Sequence, residues 1–269
     1  MNIKQICSQA SATIERRDIE LLLAYALRQP RSYLYAHPET ELTPPQLELF
    51  YQLLQRYQQG EPVVYILGET EFYSLKFSIT PAVLAPRPET ELLVNFILDN
   101  FKQDNLSVLE LGTGSGVIAI TLAKHRPRWT ITATDISDAA LEIAHKNADF
   151  HNINNMTFIK SDWYSELSKE KYDLIVSNPP YIADDDHHLK SLLFEPILAL
   201  TSGNLGMDAI GTIIKEAKFY LQPGGWILLE HGYQQAELVQ KCFLENHFTE
   251  VKTKQDLSGH PRVTIAKNN

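Results

Sequence analysis

The sequence has no apolar run approaching 18 residues, which excludes a helix spanning a bilayer. Cysteine is scarce: Cys7 and Cys242 lie far apart with no metal-like spacing, so the expected compartment is reducing, that is, cytoplasmic. Clustered basic residues are missing too. Lys and Arg number 24 against 33 Asp and Glu, giving a net charge of −9 and a pI near 5.5. Phosphate neutralisation needs clustered cations, so bare nucleic acid is not expected as the main partner. Arg16-Arg17, the adjacent basic pair, reads as part of a helix surface. No secretory signal is visible; the first fourteen residues lack acids and carry serines but contain no Arg, and they read as an ordinary first helix. What remains is a globular composition, 44% hydrophobic and 21% charged over 269 residues, enough for one medium domain and a smaller one.

Along the chain, residues 1–62 read as a small helical bundle. Ile6, Ala10 and Ile14 sit four apart, and Ile19, Leu22, Leu23, Ala26 and Leu27 continue an apolar face. Thr43-Pro44-Pro45 opens a long helix with Thr43 as its N-cap, and Gly60 ends it. The bundle carries no ionisable cluster that suggests chemistry, so its expected role is docking or covering. Residues 63–84 change to alternation around Ser74, as a short β-hairpin would, and form a linker. Arg87-Pro88-Glu89-Thr90-Glu91 then starts a helix, its acids complementing the helix dipole; capping alone or a ligand role would each explain it.

From residue 85 to 269, strands and helices alternate. Expected strands are 107–111, 130–134, 157–159, 172–176, 225–230, 248–253 and 262–266; expected helices are 117–125, 139–150, 207–221 and 233–246. This is an α/β doubly wound, Rossmann-like sheet, with the last two strands pairing as an antiparallel edge hairpin through 256–261.

Function concentrates at strand ends. Glu110-Leu111-Gly112-Thr113-Gly114-Ser115-Gly116 follows a strand and opens a helix, so its glycines permit a tight turn and close ligand approach. The spacing is Gly-x-Gly-x-Gly, without the Lys-Ser/Thr of a phosphate loop. On its own it suits a structural turn, a dinucleotide site or another adenosyl ligand. Asp135 ends the next strand, placed to accept from ribose hydroxyls. Asp162 and Trp163 end the third, where a carboxylate can take an adenine amino group and an indole can pack on the ring. The fourth strand, Tyr172–Val176, runs into Asn178-Pro179-Pro180-Tyr181. Two prolines forbid the ladder to continue and make a stiff ledge that offers an amide oxygen, proline carbonyls and an aromatic face. Such a ledge is a receptor for a planar group bearing NH2. Asp184-Asp185-Asp186-His187-His188 offers metal-ligand types, but adjacent ligands in one loop rarely converge, and no metal is expected.

Asn178-Pro179-Pro180-Tyr181 resembles the signature of methyltransferases that alkylate amino groups conjugated to a π-system. The glycine turn, Asp135, Asp162-Trp163 and the ledge have the order seen in S-adenosylmethionine-dependent methyltransferases of the Rossmann-like class. The whole chain resembles the protein-(glutamine-N5) methyltransferase family that modifies peptide chain release factors, the HemK/PrmC type. The resemblance extends to Arg87–Glu91, Glu195-Pro196, Gly206-Met207-Asp208, Glu230-His231-Gly232 and Asp256-Leu257-Ser258-Gly259 with Arg262-Val263. It departs at Met207, Ala209 and the inserted His260-Pro261. It implies a fold with an N-terminal helical bundle that docks substrate, and S-adenosylmethionine held by Glu110, Gly112, Thr113, Gly114, Ser115, Gly116, Asp135, Asp162, Trp163 and Asn178. It also implies a release-factor glutamine, in a Gly-Gly-Gln motif, received by Asn178, Pro179, Pro180 and Tyr181, with an effect on translation termination. A monomer is expected. The competing reading is an adenine-N6 methyltransferase acting on DNA or RNA through the same ledge; the acidic charge and the lack of a basic recognition segment oppose it.

Overall fold

A computed structural model describes residues 1–10 and 14–269. The chain divides into two compact units, Met1–Glu69 and Thr70–Asn269. The first unit holds five helices among its described residues: α1 (Ile3–Ala10), α2 (Arg16–Leu27), α3 (Arg31–Ala36), α4 (Pro44–Gln58) and α5 (Val63–Leu67). Ile6 is buried as the four-residue spacing requires, and Ile14 packs against the same core; the Ala10 side chain and residues 11–13 lie outside the described set. Thr43 caps α4, where Gln46 Oε1 accepts from the Thr43 N–H at 3.0 Å and from its hydroxyl at 2.9 Å. Periodicity did not reveal α3 and α5, because six and five residues are too short for an apolar stripe to repeat. The bundle also contains a charged centre that composition hid. Glu20, 3% exposed, accepts from Arg16, Arg31 and Tyr35, at 3.0, 2.6 and 2.7 Å. Burial opposes its ionisation, and these bonds overcome burial and hold its carboxyl below the ordinary range.

The second unit opens with the hairpin of β1 (Glu69–Phe72) and β2 (Leu75–Ser78), whose turn residues Tyr73 and Ser74 have φ of 52° and 59°. Both central residues in the left-handed region make the twist that suits a two-residue hairpin. Asn147 holds the hairpin down: its Oδ1 accepts from Ser78 N–H at 2.7 Å, while its Nδ2 donates to the carbonyls of Ser78 and Ser115. A short 3-10 turn, Pro88–Thr90, leads into α6 (Glu91–Asn100), and Glu91 accepts from the Tyr73 N–H at 2.8 Å.

The main sheet has seven strands in the order β5-β4-β3-β6-β7-β9-β8. These are β3 (Ser107–Leu111), β4 (Thr130–Asp135), β5 (Met156–Lys160), β6 (Tyr172–Ser177), β7 (Leu221–Glu230), β8 (Thr249–Gln255) and β9 (Pro261–Lys267). The first five are parallel, and β9 runs antiparallel to both β7 and β8. Helices α7 (Val117–His125), α8 (Asp138–Phe150), α9 (Asp208–Ala217) and α10 (Ala236–Glu245) complete the unit. The doubly wound sheet and its edge hairpin match the sequence expectation. The start of β7 does not: it begins at Leu221 and not Gly225, because Tyr172 pairs with Leu221 while Leu174 pairs with Trp226, a bulge with Gly224 at φ 78°. That extension also stops α9 at Ala217.

Register positions the site. Leu111 stands opposite both Thr134 and Ser177, so β3, β4 and β6 end level. The strand order reverses around β3, and ligands bind such sheets in the crevice beyond the strand ends at that switch. Beneath it the strands are dry: Val108, Leu109, Leu111, Leu174, Ile175 and Val176 are fully buried.

Candidate active site

The loop after β3 is held in shape by its own backbone and by two acids. Gly112 and Gly114 take φ of 70° and 55°, and Thr113 N–H donates to the Thr134 carbonyl at 2.8 Å. Asp135, at the end of β4, accepts from Gly114 N–H at 2.8 Å and Ser137 N–H at 3.0 Å. Burial raises its pKa, and these backbone donors pull it back. Glu110 accepts from the Thr113 hydroxyl at 2.5 Å and Ala119 N–H at 3.2 Å. It is 1% exposed, and burial pushes its carboxyl up to about 8, with the Asp135 charge adding to the rise.

These residues line a cavity of about 390 Å³. Glu110, Gly112, Thr113, Gly114, Ser115, Asp135, Asp162, Trp163, Asn178 and Pro180 all border it. Gly112 is a glycine because of its φ of 70°; a Cβ there would make only an ordinary contact with the Trp163 ring, at 3.6 Å. Gly116, Pro179 and Tyr181 are not among the lining residues. Gly116 begins α7 at φ 82°, a conformation that favours glycine, and a Cβ would come within 2.7 Å of the Ile120 Cδ1 and 3.3 Å of the Ala144 Cβ. Pro179 is buried. The Tyr181 ring packs against the core cluster, and its hydroxyl lies 3.5 Å from Glu230 Oε1. Burial beside the Glu230 charge pushes its phenol far above the ordinary value.

The far wall comes from segments that the motif reading left as caps or spacers. Arg87 and Thr90 line the cavity, as do Pro196, Leu198, Ser202 and Asp208. Arg87 Nη2 donates to Glu195 Oε1 at 2.5 Å, tying the turn before α6 to the loop after β6. Gln235 Nε2 donates to the carbonyls of Tyr181 and Leu205 and pins that loop at its other end. Asn178 Nδ2 donates to Thr90 Oγ1 at 3.2 Å, while Asn178 Oδ1 is buried without a hydrogen-bond partner. Glu230 Oε2 is likewise buried and unpartnered; burial pushes Glu230 up to about 7, against the pull of the nearby Thr90 hydroxyl and the Arg262 charge. Asp186, His187 and His188 cluster within metal-ligand reach of one another, but both histidines are exposed and all three come from one turn.

Two acceptors kept from water with nothing to accept from cost free energy unless a ligand supplies the donors. The arrangement therefore offers a pocket with one acidic, glycine-lined half and, across from it, the unpartnered Asn178 Oδ1 as an acceptor for an N–H group.

Residues 88–260 match the methyltransferase small domain family, and residues 2–68 match the PrmC N-terminal domain. The release factor glutamine methyltransferase of Coxiella burnetii is 46% identical over 99% of this chain and 96% of that one. That of Escherichia coli is 39% identical over 98% of this chain and 97% of its own length. Among solved structures, a Pyrococcus furiosus methyltransferase superposes with a TM-score of 0.58 at 17% identity, covering 81% of this chain and 98% of that one. The catalytic domain of hMettl16 in complex with an RNA hairpin superposes with a TM-score of 0.63 at 18% identity, covering 77% and 81%. Those two likenesses speak for the fold.

Proposed function

This chain belongs to the release factor glutamine methyltransferases, and from that premise we propose that its cavity brings S-adenosylmethionine against the amide of a glutamine in a release factor's Gly-Gly-Gln motif. The observation that carries the acceptor half is the buried, partnerless Oδ1 of Asn178 beside the donor loop.

On the donor side, the residues present fit an adenosyl ligand. Gly112 and Gly114 leave the backbone open, Asp135 keeps lone pairs for ribose hydroxyls, and Asp162 with Trp163 receives the adenine. Glu110 faces the cationic methionine end. S-adenosylmethionine supplies a methyl on a sulfonium, which the amide nitrogen takes as the sulfur leaves as a thioether.

The nitrogen needs help, because its lone pair is delocalised into the carbonyl. Asn178 Oδ1 and the Pro179 carbonyl accept from the substrate NH2, hold the nitrogen in line with the methyl and stabilise positive charge as it develops. Pro180 shapes the wall beside them. Tyr181 acts from behind, packing the ledge in place. Well-oriented reactants gain on the order of 7–11 kcal/mol from positioning alone. The N-methylated amide is strongly acidic and sheds its proton to water, so no general base is assigned.

The helical bundle, residues 1–62 with 63–84 as linker, docks the release factor, and residues 85–269 perform the transfer. The protein acts as a monomer in the cytoplasm and not on nucleic acid. The net charge of −9 opposes nucleic acid as the main partner, and two free cysteines suit a reducing compartment. Incubating a release factor with this protein and S-adenosylmethionine, then mapping it by mass spectrometry, tests the whole reading. One methyl on the Gly-Gly-Gln glutamine is expected, and an unmodified factor would refute it.

A further inference from the structure

Asn178 and the Pro179 carbonyl can align a substrate only if the ledge that carries them is held still. Two consecutive prolines leave that ledge without two of the backbone N–H groups that ordinarily tie a loop down. Its near end is fixed where β6 stops, the Ser177 hydroxyl donating to the Leu111 carbonyl at 2.6 Å. Its far end is held by one side-chain amide. Gln235 Nε2 donates to the carbonyls of Tyr181, Leu205 and Gly206, at 2.9, 3.0 and 3.3 Å. Oε1 of the same amide accepts from the Gly232 N–H at 2.8 Å. Every partner is a backbone group with a fixed role, so this amide fits one way round; flipped, it would set its oxygen against three carbonyls.

The base of the clasp is rigid as well. The Gln235 N–H donates to the Gly232 carbonyl at 2.9 Å, and Nδ1 of the buried His231 donates to that carbonyl at 2.9 Å. Two glycines make room for the amide. A Cβ on Gly232 would come within 2.9 Å of Gln235 Oε1; one on Gly206 would come equally close to Nε2 and would clash with the Tyr181 carbonyl. Ile182, next along the chain, donates to the Leu200 carbonyl at 2.9 Å, and Gln235 ties that same loop again at Leu205.

We infer that Gln235 is a positioning residue for methyl transfer, clasping the carbonyl end of the Asn178–Tyr181 ledge to the loop after β7 and so setting where Asn178 Oδ1 and the Pro179 carbonyl stand. The inference rests on the acceptor role proposed for that ledge. Gln235 does not line the cavity, so it acts through the ledge and not by touching donor or substrate. Tyr181 is 54 residues from it and Leu205 is 30, so one amide gathers three loops that the sequence keeps apart. This gives Gly206 and Gly232 a shared purpose: each leaves the space that the Gln235 amide fills.

The test is single-turnover methylation of a release factor at saturating donor, with donor affinity measured in parallel by calorimetry. Gln235→Met keeps the length of the side chain but removes its amide. It should slow methyl transfer by about ten- to a hundredfold, up to the scale of a ~1 Å misplacement of reacting groups. Donor affinity should change less than ~threefold, the split expected of a residue that acts on the transition state alone. Gln235→Glu keeps the acceptor for Gly232 but turns oxygen toward three carbonyls, so it should be at least as slow. In the Asn178→Ala background, Gln235→Met should cost less than it does in the wild type, since part of what it positions is gone. A Gln235→Met rate within about threefold of wild type, while Asn178→Ala is slow, would overturn the inference and leave the role of Asn178 standing. Equal slowing in both backgrounds would overturn it too, as would a donor affinity that falls as far as the rate. An Asn178→Ala enzyme at the wild-type rate would refute the role of the ledge itself, and the positioning role with it. Should Gln235→Met fail to fold, Gly232→Ala decides, because its methyl presses on the Gln235 amide without altering the ledge. It should slow transfer by more than ~threefold at unchanged donor affinity, and a rate at the wild-type level would overturn the inference.

Discussion

The two halves of the cavity treat their buried polar groups in opposite ways. On the donor side, Asp135 already accepts from Gly114 and Ser137, and Glu110 from Thr113 and Ala119. On the acceptor side, Asn178 Oδ1 is buried and unpartnered. The donor half is a finished cradle, organised before anything binds. The acceptor half carries desolvation that a substrate NH2 would relieve at Asn178, and relief that grows as the nitrogen becomes positive lowers the barrier more than it tightens binding.

The comparison breaks most visibly at Asn178. Asn178→Ala removes one of two acceptors and should lower kcat by about 10²–10³, the scale for losing one preorganised contact to developing charge. Donor affinity should move far less. Single-turnover rates within about threefold of wild type would mean that the ledge does not position the nucleophile.

The donor half should respond in affinity. Asp135→Ala should weaken S-adenosylmethionine binding by about 2–4 kcal/mol, the scale of lost charge-assisted hydrogen bonds. It also frees the N–H groups of Gly114 and Ser137, so the melting temperature should fall as well. Unchanged affinity by calorimetry would reduce Asp135 to a loop anchor.

Glu110 sharpens the contrast through pH. Its carboxyl lies at about 8 in the free protein, while a cationic donor favours the ionised form. Donor affinity should therefore rise with pH, by up to ~tenfold per unit, and level off above about 8. Glu110→Gln should bind more weakly and show no such rise. Stability runs the other way. A carboxyl raised by folding contributes stability that is present below its unfolded pKa, near 4.5, and lost as pH rises through about 8. Melting temperature should thus fall less across that window in Glu110→Gln than in wild type.

The smallest effect is expected at Tyr181. Its ring packs in the core and its hydroxyl lies 3.5 Å from Glu230 Oε1, so Tyr181→Phe loses one long hydrogen bond. Rates should stay within about threefold, the range of a bond worth at most ~0.5 kcal/mol. A loss of a hundredfold would restore a direct part in catalysis.

Legibility followed sequence distance. The glycine turn, Asp135 and the ledge could be read because each is a strand end followed by residues that cannot extend it. The contacts of Thr90, Glu195, Glu230 and Asn147 could not. Thr90 is 88 residues from Asn178, and Arg87 is 108 from Glu195. Nothing local distinguishes a threonine that meets an asparagine across the fold from one that begins a helix. Glu20 was missed for the same reason, since two of its three partners come from α3, an element too short to show a period.

By itself, the sequence determined the alternation of strands and helices, the edge hairpin and the groups standing at the ends of β3 to β6. Those depend on backbone propensity and on the burial of short apolar runs, which act over a few residues. Only the tertiary structure decided that the Tyr181 ring packs against the core, that Gly116 takes a left-handed conformation at the start of α7, and that Thr90 meets Asn178. It also decided that Glu110 is dry enough for its carboxyl to sit near 8. Desolvation and the direction of a hydrogen bond depend on what packs around a group in three dimensions, and its neighbours along the chain do not record that.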